Sequence, residues 1–136
     1  MSVSVSLQDL VLDLLKSARA VSDIVNGRII DGPDEDTTFP FISFGPDDSV
    51  RDDAECIPGR RQTMQLDCWS RDQGKLWPCK RLVDAVVGAL HEAEGELSVG
   101  ALASLRVVLA RTFLDGDGKT AHGVVQVTAT VEEPVE

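Results

Sequence analysis

The sequence predicts an α+β fold: a mostly antiparallel or mixed sheet with two helices packed on one face. Three observations carry this. Two segments show apolar residues at helical spacing, several short segments alternate with period two, and the last two strand-like segments flank a turn rich in Gly and Asp. The order is helix, strands, long loop, strand, helix, hairpin, for which one sheet under two helices is the simplest layered solution.

Leu7, Leu10, Val11, Leu14, Leu15 and Ala18 place an amphipathic helix over 7–19, with Ser6 as its N-cap and Asp9 three residues on. Ser22 to Val25 adds a helical turn that Asn26-Gly27 ends. Arg28 to Ile30 reads as a short strand, Asp31 to Asp36 as a polar loop, and Phe39 to Phe44 as a strand with Pro40 near its start. Gly45 to Arg60 shows no sustained periodicity and is read as a long loop, of the kind that in compact domains serves function or is disordered. Arg61 to Trp69 alternates, with Met64, Leu66 and Cys68 on one side, as a half-buried strand does. Ser70 to Lys75 turns the chain into a second helix from about Leu76 to His91. Pro78 is tolerated in its first turn, and Cys79, Leu82, Val83, Val86, Val87 and Leu90 form its buried stripe. Gly95 marks the end region of that helix, and Leu97 to Val99 is a short strand or an extended link. Leu105 to Leu114 and His122 to Val131 are the longest strands, joined through Asp115 to Thr120 as a hairpin. The residues from Glu132 to Glu136 read as a frayed acidic tail.

The chain has 136 residues, which fits one domain spanning 1–136 with its core at about 6–132. At this size one core suffices without disulfide or metal. Net charge is −10, with 23 acids against 13 bases, and no basic run exceeds Arg60-Arg61 or Lys80-Arg81. Tight sequence-independent binding of nucleic acid relies on neutralising phosphates, so this balance disfavours it; anionic lipid is disfavoured for the same reason. No basic segment followed by an apolar stretch opens the chain, and no apolar run approaches a membrane span, so neither signal peptide nor membrane segment is expected. The odd cysteine count (Cys56, Cys68 and Cys79) without a C-x-x-C pair suggests free thiols and a reducing compartment.

Chemistry-bearing motifs are missing. The two histidines, His91 and His122, do not cluster with the cysteines at metal-ligand spacing. Asp115-Gly-Asp117-Gly118 starts like a calcium loop, but the twelfth position is Gln126, so a hairpin turn is the better reading. Gly116, Gly118, Lys119 and Thr120 lack the spacing of a phosphate loop, and Ser104 and His122 lack the context of a catalytic triad. No catalytic residue, cofactor or metal is assigned. The residues singled out are contact candidates: Asp47, Asp48, Arg51, Asp52, Asp53 and Arg60 in the acidic aperiodic loop, and Trp77 at the second helix. Against the contact reading of Trp77 stands ordinary packing at the core boundary.

Four stretches in one order resemble the phage tail terminator, or tail-completion, proteins that also occur in gene transfer agents. They are Val25-Asn-Gly-Arg-Ile29 after the first helix; Phe39-Pro-Phe-Ile42; Leu66-Asp-Cys-Trp-Ser70 before the helix Lys80 to Leu90; and Arg111 followed by Asp115-Gly-Asp-Gly-Lys-Thr-Ala-His-Gly-Val124. The last stretch is the most specific, and the resemblance covers about residues 6–132; Pro78 and the acidic tail depart from the pattern without removing an element. The resemblance implies a ring, commonly a hexamer, that ends the tail tube of a long-tailed particle and joins it to the head. Its partners would be copies of itself, the tail tube protein and a head-side connector or stopper. DNA would pass through without tight binding, and no membrane is involved. The implied location is the tail–head junction of a virion, assembled in the bacterial host cytoplasm, and no catalytic residue is implied. Two other readings stand beside it: a monomeric neck adaptor or other protein-binding module, and an enzyme, which would need a pocket with converging titratable groups.

Overall fold

The computed structural model describes residues 2–54 and 57–134. The reading of Cys56 as a free thiol and the end of the acidic tail fall outside the described residues. Among the described residues, three helices and five strands follow in the order α1 (Val3–Ser17), α2 (Arg19–Val25), β1 (Ile29–Ile30), β2 (Phe41–Arg51), β3 (Gly59–Arg71), α3 (Trp77–Leu90), β4 (Ala101–Leu114) and β5 (Thr120–Glu132). The sheet order is β1-β2-β3-β5-β4. β1 runs parallel to β2 and every other pair is antiparallel, so the sheet is mixed.

The helical half differs from expectation at its start. α1 begins at Val3, capped by Ser2, whose side chain accepts from the Val5 amide. The stripe Val3, Leu7, Val11, Leu15 at four-residue spacing lies fully inside, and this burial extends the helix one turn further than Leu7. Ser6 is therefore no cap: it is buried within the helix, and its hydroxyl accepts from the Val99 amide at 3.2 Å. That bond ties the link after α3, which is extended without a strand, to α1. Ala18 adopts an extended conformation and ends α1, and the single turn expected from Ser22 is a separate helix, α2, which brings the helix count to three. Asn26 closes α2 in the left-handed region, as its side chain tolerates.

α1 and α3 lie on one face of the sheet, with α2 packed against both. That face is built from Met64, Leu66 and Cys68 of β3 and Ala121, Val125, Val127, Ala129 and Val131 of β5, all buried. Gly123 lies in this row because α3 crosses there. A Cβ at Gly123 would collide with Val83 Cγ2 and lie 3.2 Å from both Cys68 Cβ and Cys79 Sγ. The alternating residues of β3 and β5, from Thr63 and Gln65 to His122 and Thr128, form the opposite face, which no helix among the described residues covers.

The largest departure concerns residues 45–60. Those of them that are described, 45–54 and 57–60, are no aperiodic loop: β2 runs on to Arg51 and β3 starts at Gly59, so they form the outer half of a hairpin arm. An Ala54–Ile57 bridge continues the pairing toward the tip. The register shifts between Phe44 and Asp47, a bulge at Gly45-Pro46, and beyond it every residue of β2 is exposed. A strand wet on both faces has no apolar alternation, which is why period-two reasoning misses it.

Candidate functional site

The β3 strand spans 13 residues, about 40 Å at ~3.3 Å per residue, and the contact candidates sit at both of its ends. At the Gly59 end is the arm. Its Arg51 donates to Asp53 at 2.6 Å and to Glu133 at 2.8 Å, and Arg60 donates to the same Glu133 oxygen at 2.8 Å. Asp53 also accepts from the Gly59 amide at 2.9 Å. Hydrogen bonds from Arg51 and Arg60 hold the Glu133 carboxyl below the usual carboxylate range; Asp53 is lowered first by the Gly59 amide and then by Arg51. Glu133 thus clamps both strands of the arm to the end of β5, and this part of the acidic tail is tied down rather than frayed. Further along, Asp47 accepts from Gln62 at 2.7 Å, and Asp52 lies 3.8 Å from Arg61. Arg51, Arg60, Asp47 and Asp53 are therefore occupied in shaping the arm, which leaves Asp48 and Val50 facing solvent.

At the Arg71 end is Trp77, 59% exposed despite its size. It does not pack into the core boundary. With Ile24, Phe39, Pro40 and Pro78 it lines a groove of about 260 Å³, whose rim carries Arg71, Arg81, Asp23 and Asp72. The Arg71 guanidinium lies 4.4 Å from the centre of the Phe39 ring. The structure thus does not gather the seven candidates into one site: six belong to the arm and Trp77 lies at the far end.

Motif reasoning overlooks the open face of the sheet. There Phe41 faces Trp69, Trp69 faces His122 and His122 faces Phe113 across three strand pairs. The rings form a continuous row, with Trp69 and His122 stacked at 3.8 Å and Phe113 tilted against His122 at 4.9 Å. His122 Nε2 lies 2.7 Å from Asp67 Oδ1, which also accepts from Gln65 at 3.0 Å, and Trp69 donates to Ser43 at 3.0 Å. An Asp–His pair is half of a hydrolase triad, but no serine, threonine or cysteine bonds to His122 among the described residues. It is a satisfied polar pair between aromatic plates. The signal for it lies in cross-strand register, which sequence spacing does not contain.

The chain matches the family model described as "Tail completion protein gp17" over residues 9–132. It belongs to the tail completion protein gp17 family. It is 23% identical over 126 residues to the tail completion protein gp17 of Bacillus phage SPP1, covering 93% of this chain and 92% of that protein. A chain in the virion of a native gene transfer agent particle superposes with a TM-score of 0.88 at 21% identity, covering 96% of this chain and 98% of that one. The structure of bacteriophage SPP1 gp17 gives 0.61 at 22% identity, covering 98% and 94%. At these identities the superpositions establish the fold.

The family match takes in the arm, the aromatic row and all of β4, and stops one residue short of Glu133. Two free thiols of this family member lie inside the fold. Cys68 and Cys79 are buried, and burial raises Cys68 well above the usual thiol range and pushes Cys79 up to about 11. The Cys79 thiol donates to the Cys68 carbonyl at 3.6 Å. No cluster of metal-ligating side chains occurs among the described residues, and no helix among them is long and apolar enough to cross a membrane.

Proposed function

We propose that this chain is a structural part of a tailed particle, a phage or a gene transfer agent. Acting as one domain and not as an enzyme, it forms a ring, a hexamer, that ends the tail tube and joins it to the head-side connector. Membership of the tail completion family over residues 9–132 carries this reading. Two features of the fold support it. A ring between tube and connector needs two different contact surfaces facing opposite ways, and the arm and the Trp77 groove lie at opposite ends of β3, about 40 Å apart. One end is a charged clamp with Asp52 and Asp53 toward its tip, and the other is an aromatic groove rimmed by both signs of charge. The net charge of −10 suits a passage that lets DNA through without holding it.

The test is electron microscopy of particles made without this protein. Abnormally long tails that lack heads are expected; tails of normal length joined to heads would overturn the reading. Light scattering of the chain with tail tube protein separates the ring from a monomeric adaptor, because only the ring gives a species several times the mass of one chain.

A further inference from the structure

We propose that copies of this chain join sheet edge to sheet edge, with the outer half of β2 in one copy pairing antiparallel with β4 in the next. The inference rests on the ring reading above and names its contact. Besides the two-residue β1, two lengths of strand among the described residues have a strand on one side only. β4 ends the sheet; His91 and Glu92 bond its outer side at Val107 and Leu105, which leaves the stretch from Val108 to Leu114 open, and β1 covers β2 only at Ile42 and Ser43, so β2 from Phe44 to Arg51 is paired only with β3. Long open edges of this kind are templates for another chain, and soluble proteins usually shorten, cover or charge them.

The directions agree. β2 and β5 run one way, β3 and β4 the other. Copies related by rotation about an axis along the strands keep these directions, so β4 of one copy meets β2 of the next antiparallel and the alternation continues. The two edges differ from each other, so the contact is head-to-tail, the type that closes into rings.

The side chains agree as well. In a chain with 23 acids, β4 carries Arg106 and Arg111 and no acid at all. The outer half of β2 carries Asp47 and Asp48 and leads into Asp52 and Asp53. Exposed apolar residues stand on both edges: Val50 at 51%, Val108 at 57% and Leu109 at 41%. One antiparallel register sets Asp48 opposite Arg111 and Val50 opposite Leu109. All four lie on the open face, because their in-chain partners are Thr63, Val124, Arg61 and Gln126. These partners place the two edges at the levels of Thr63 and Asp67 on β3, about 13 Å apart. Tilting the strands against the ring axis takes up such an offset, as in closed sheets. Pairing β4 with β4, or β2 with β2, would instead bring like charges together, which is destabilising across a strand pair.

The test uses purified particles carrying Val50→Cys and Leu109→Cys, with Cys56→Ser as background, oxidised and run on a non-reducing gel. The two-site variant should give a ladder from dimer to closed ring, and each one-site variant only monomer. Dimers from Leu109→Cys alone, or no ladder although the chain is present in the particles, would overturn the pairing while leaving the ring reading standing. Absence of the wild-type chain from particles would instead sink the ring reading. A charge swap decides the matter if the cysteine variants do not enter particles. Arg111→Asp should lower incorporation about tenfold while circular dichroism stays that of the wild type, and adding Asp48→Arg should restore it. Lack of restoration counts against the pairing.

Discussion

β4 and β5 are neighbours of nearly equal length, 14 and 13 residues, paired along almost their whole extent. β4 is rich in Leu, Ala and Val and β5 in Val, Thr and Ala, and sequence reading treats them as equals. Their environments are opposite. On β5 the row Ala121, Val125, Val127, Ala129 and Val131 is buried, whereas on β4 only Leu105 is. The cause is position: α3 packs against both, but β5 has a strand on either side and β4 has one on one side only. Residue type gives a segment its capacity to pair, and the place in the sheet decides what the pairing buries. Apolar surface left on an edge such as β4 is what the edge-to-edge pairing proposed above would cover.

The sharpest break of this contrast is a charge placed on each strand. Val125→Asp puts a carboxylate where no water reaches and no partner waits, and should cost more than about 4 kcal/mol, enough to abolish the cooperative unfolding transition. Leu109→Asp, on the wet strand, should keep that transition. Circular dichroism against urea reads both. A Val125→Asp chain that unfolds like the wild type would mean that the β5 row is not the core.

Gly123→Val tests the same row by bulk. The added methyls meet Val83 and the sulfur of Cys79, so α3 must lift from the sheet. A loss of about 2–3 kcal/mol is expected, typical of overpacking, and Thr112→Val, directly opposite on β4, should cost much less. A third comparison removes polar support from the open face. Asp67→Ala deprives His122 and Gln65 of their shared acceptor and should cost roughly 1–3 kcal/mol by denaturant titration, while Ser104→Ala on β4 should fall within about 0.5 kcal/mol.

How much of this the sequence discloses follows from what is buried. α3 is legible to within a residue because Cys79, Leu82, Val83, Val86 and Leu90 must all face the sheet. The β4–β5 hairpin is legible because Asp and Gly residues mark its turn, although β4 starts earlier than Leu105. The arm is illegible because neither of its faces is dry. The start of α1 is misread because Val3 to Ser6, alternating Val and Ser, gives no helical stripe until Leu7 and Val11 are counted with Val3. For the contact surfaces the same limit holds. An exposed Trp77 can be suspected from its residue type, but the row Phe41, Trp69, His122, Phe113 exists only once the register sets one residue of each strand beside the next.

The turn that joins the two strands supplies the mildest test. Asp117 accepts from the Lys119 and Thr120 amides at 2.9 and 2.8 Å and from the Thr120 hydroxyl at 2.7 Å. These bonds, the hydroxyl's first, lower its pKa from the ordinary 3.8 to about 2. A carboxyl lowered on folding adds stability that is complete above its unfolded value and fades as pH falls through the folded one. The melting temperature of Asp117→Asn should therefore lie a constant small amount below that of the wild type from pH 5 to pH 8. The gap should close between about pH 4 and pH 2, where the wild-type carboxyl takes up its proton. A gap that persists unchanged to pH 2 would mean that the amide fails for its shape and not its charge. The turn would then hold the register of the wet strand against the dry one by geometry alone.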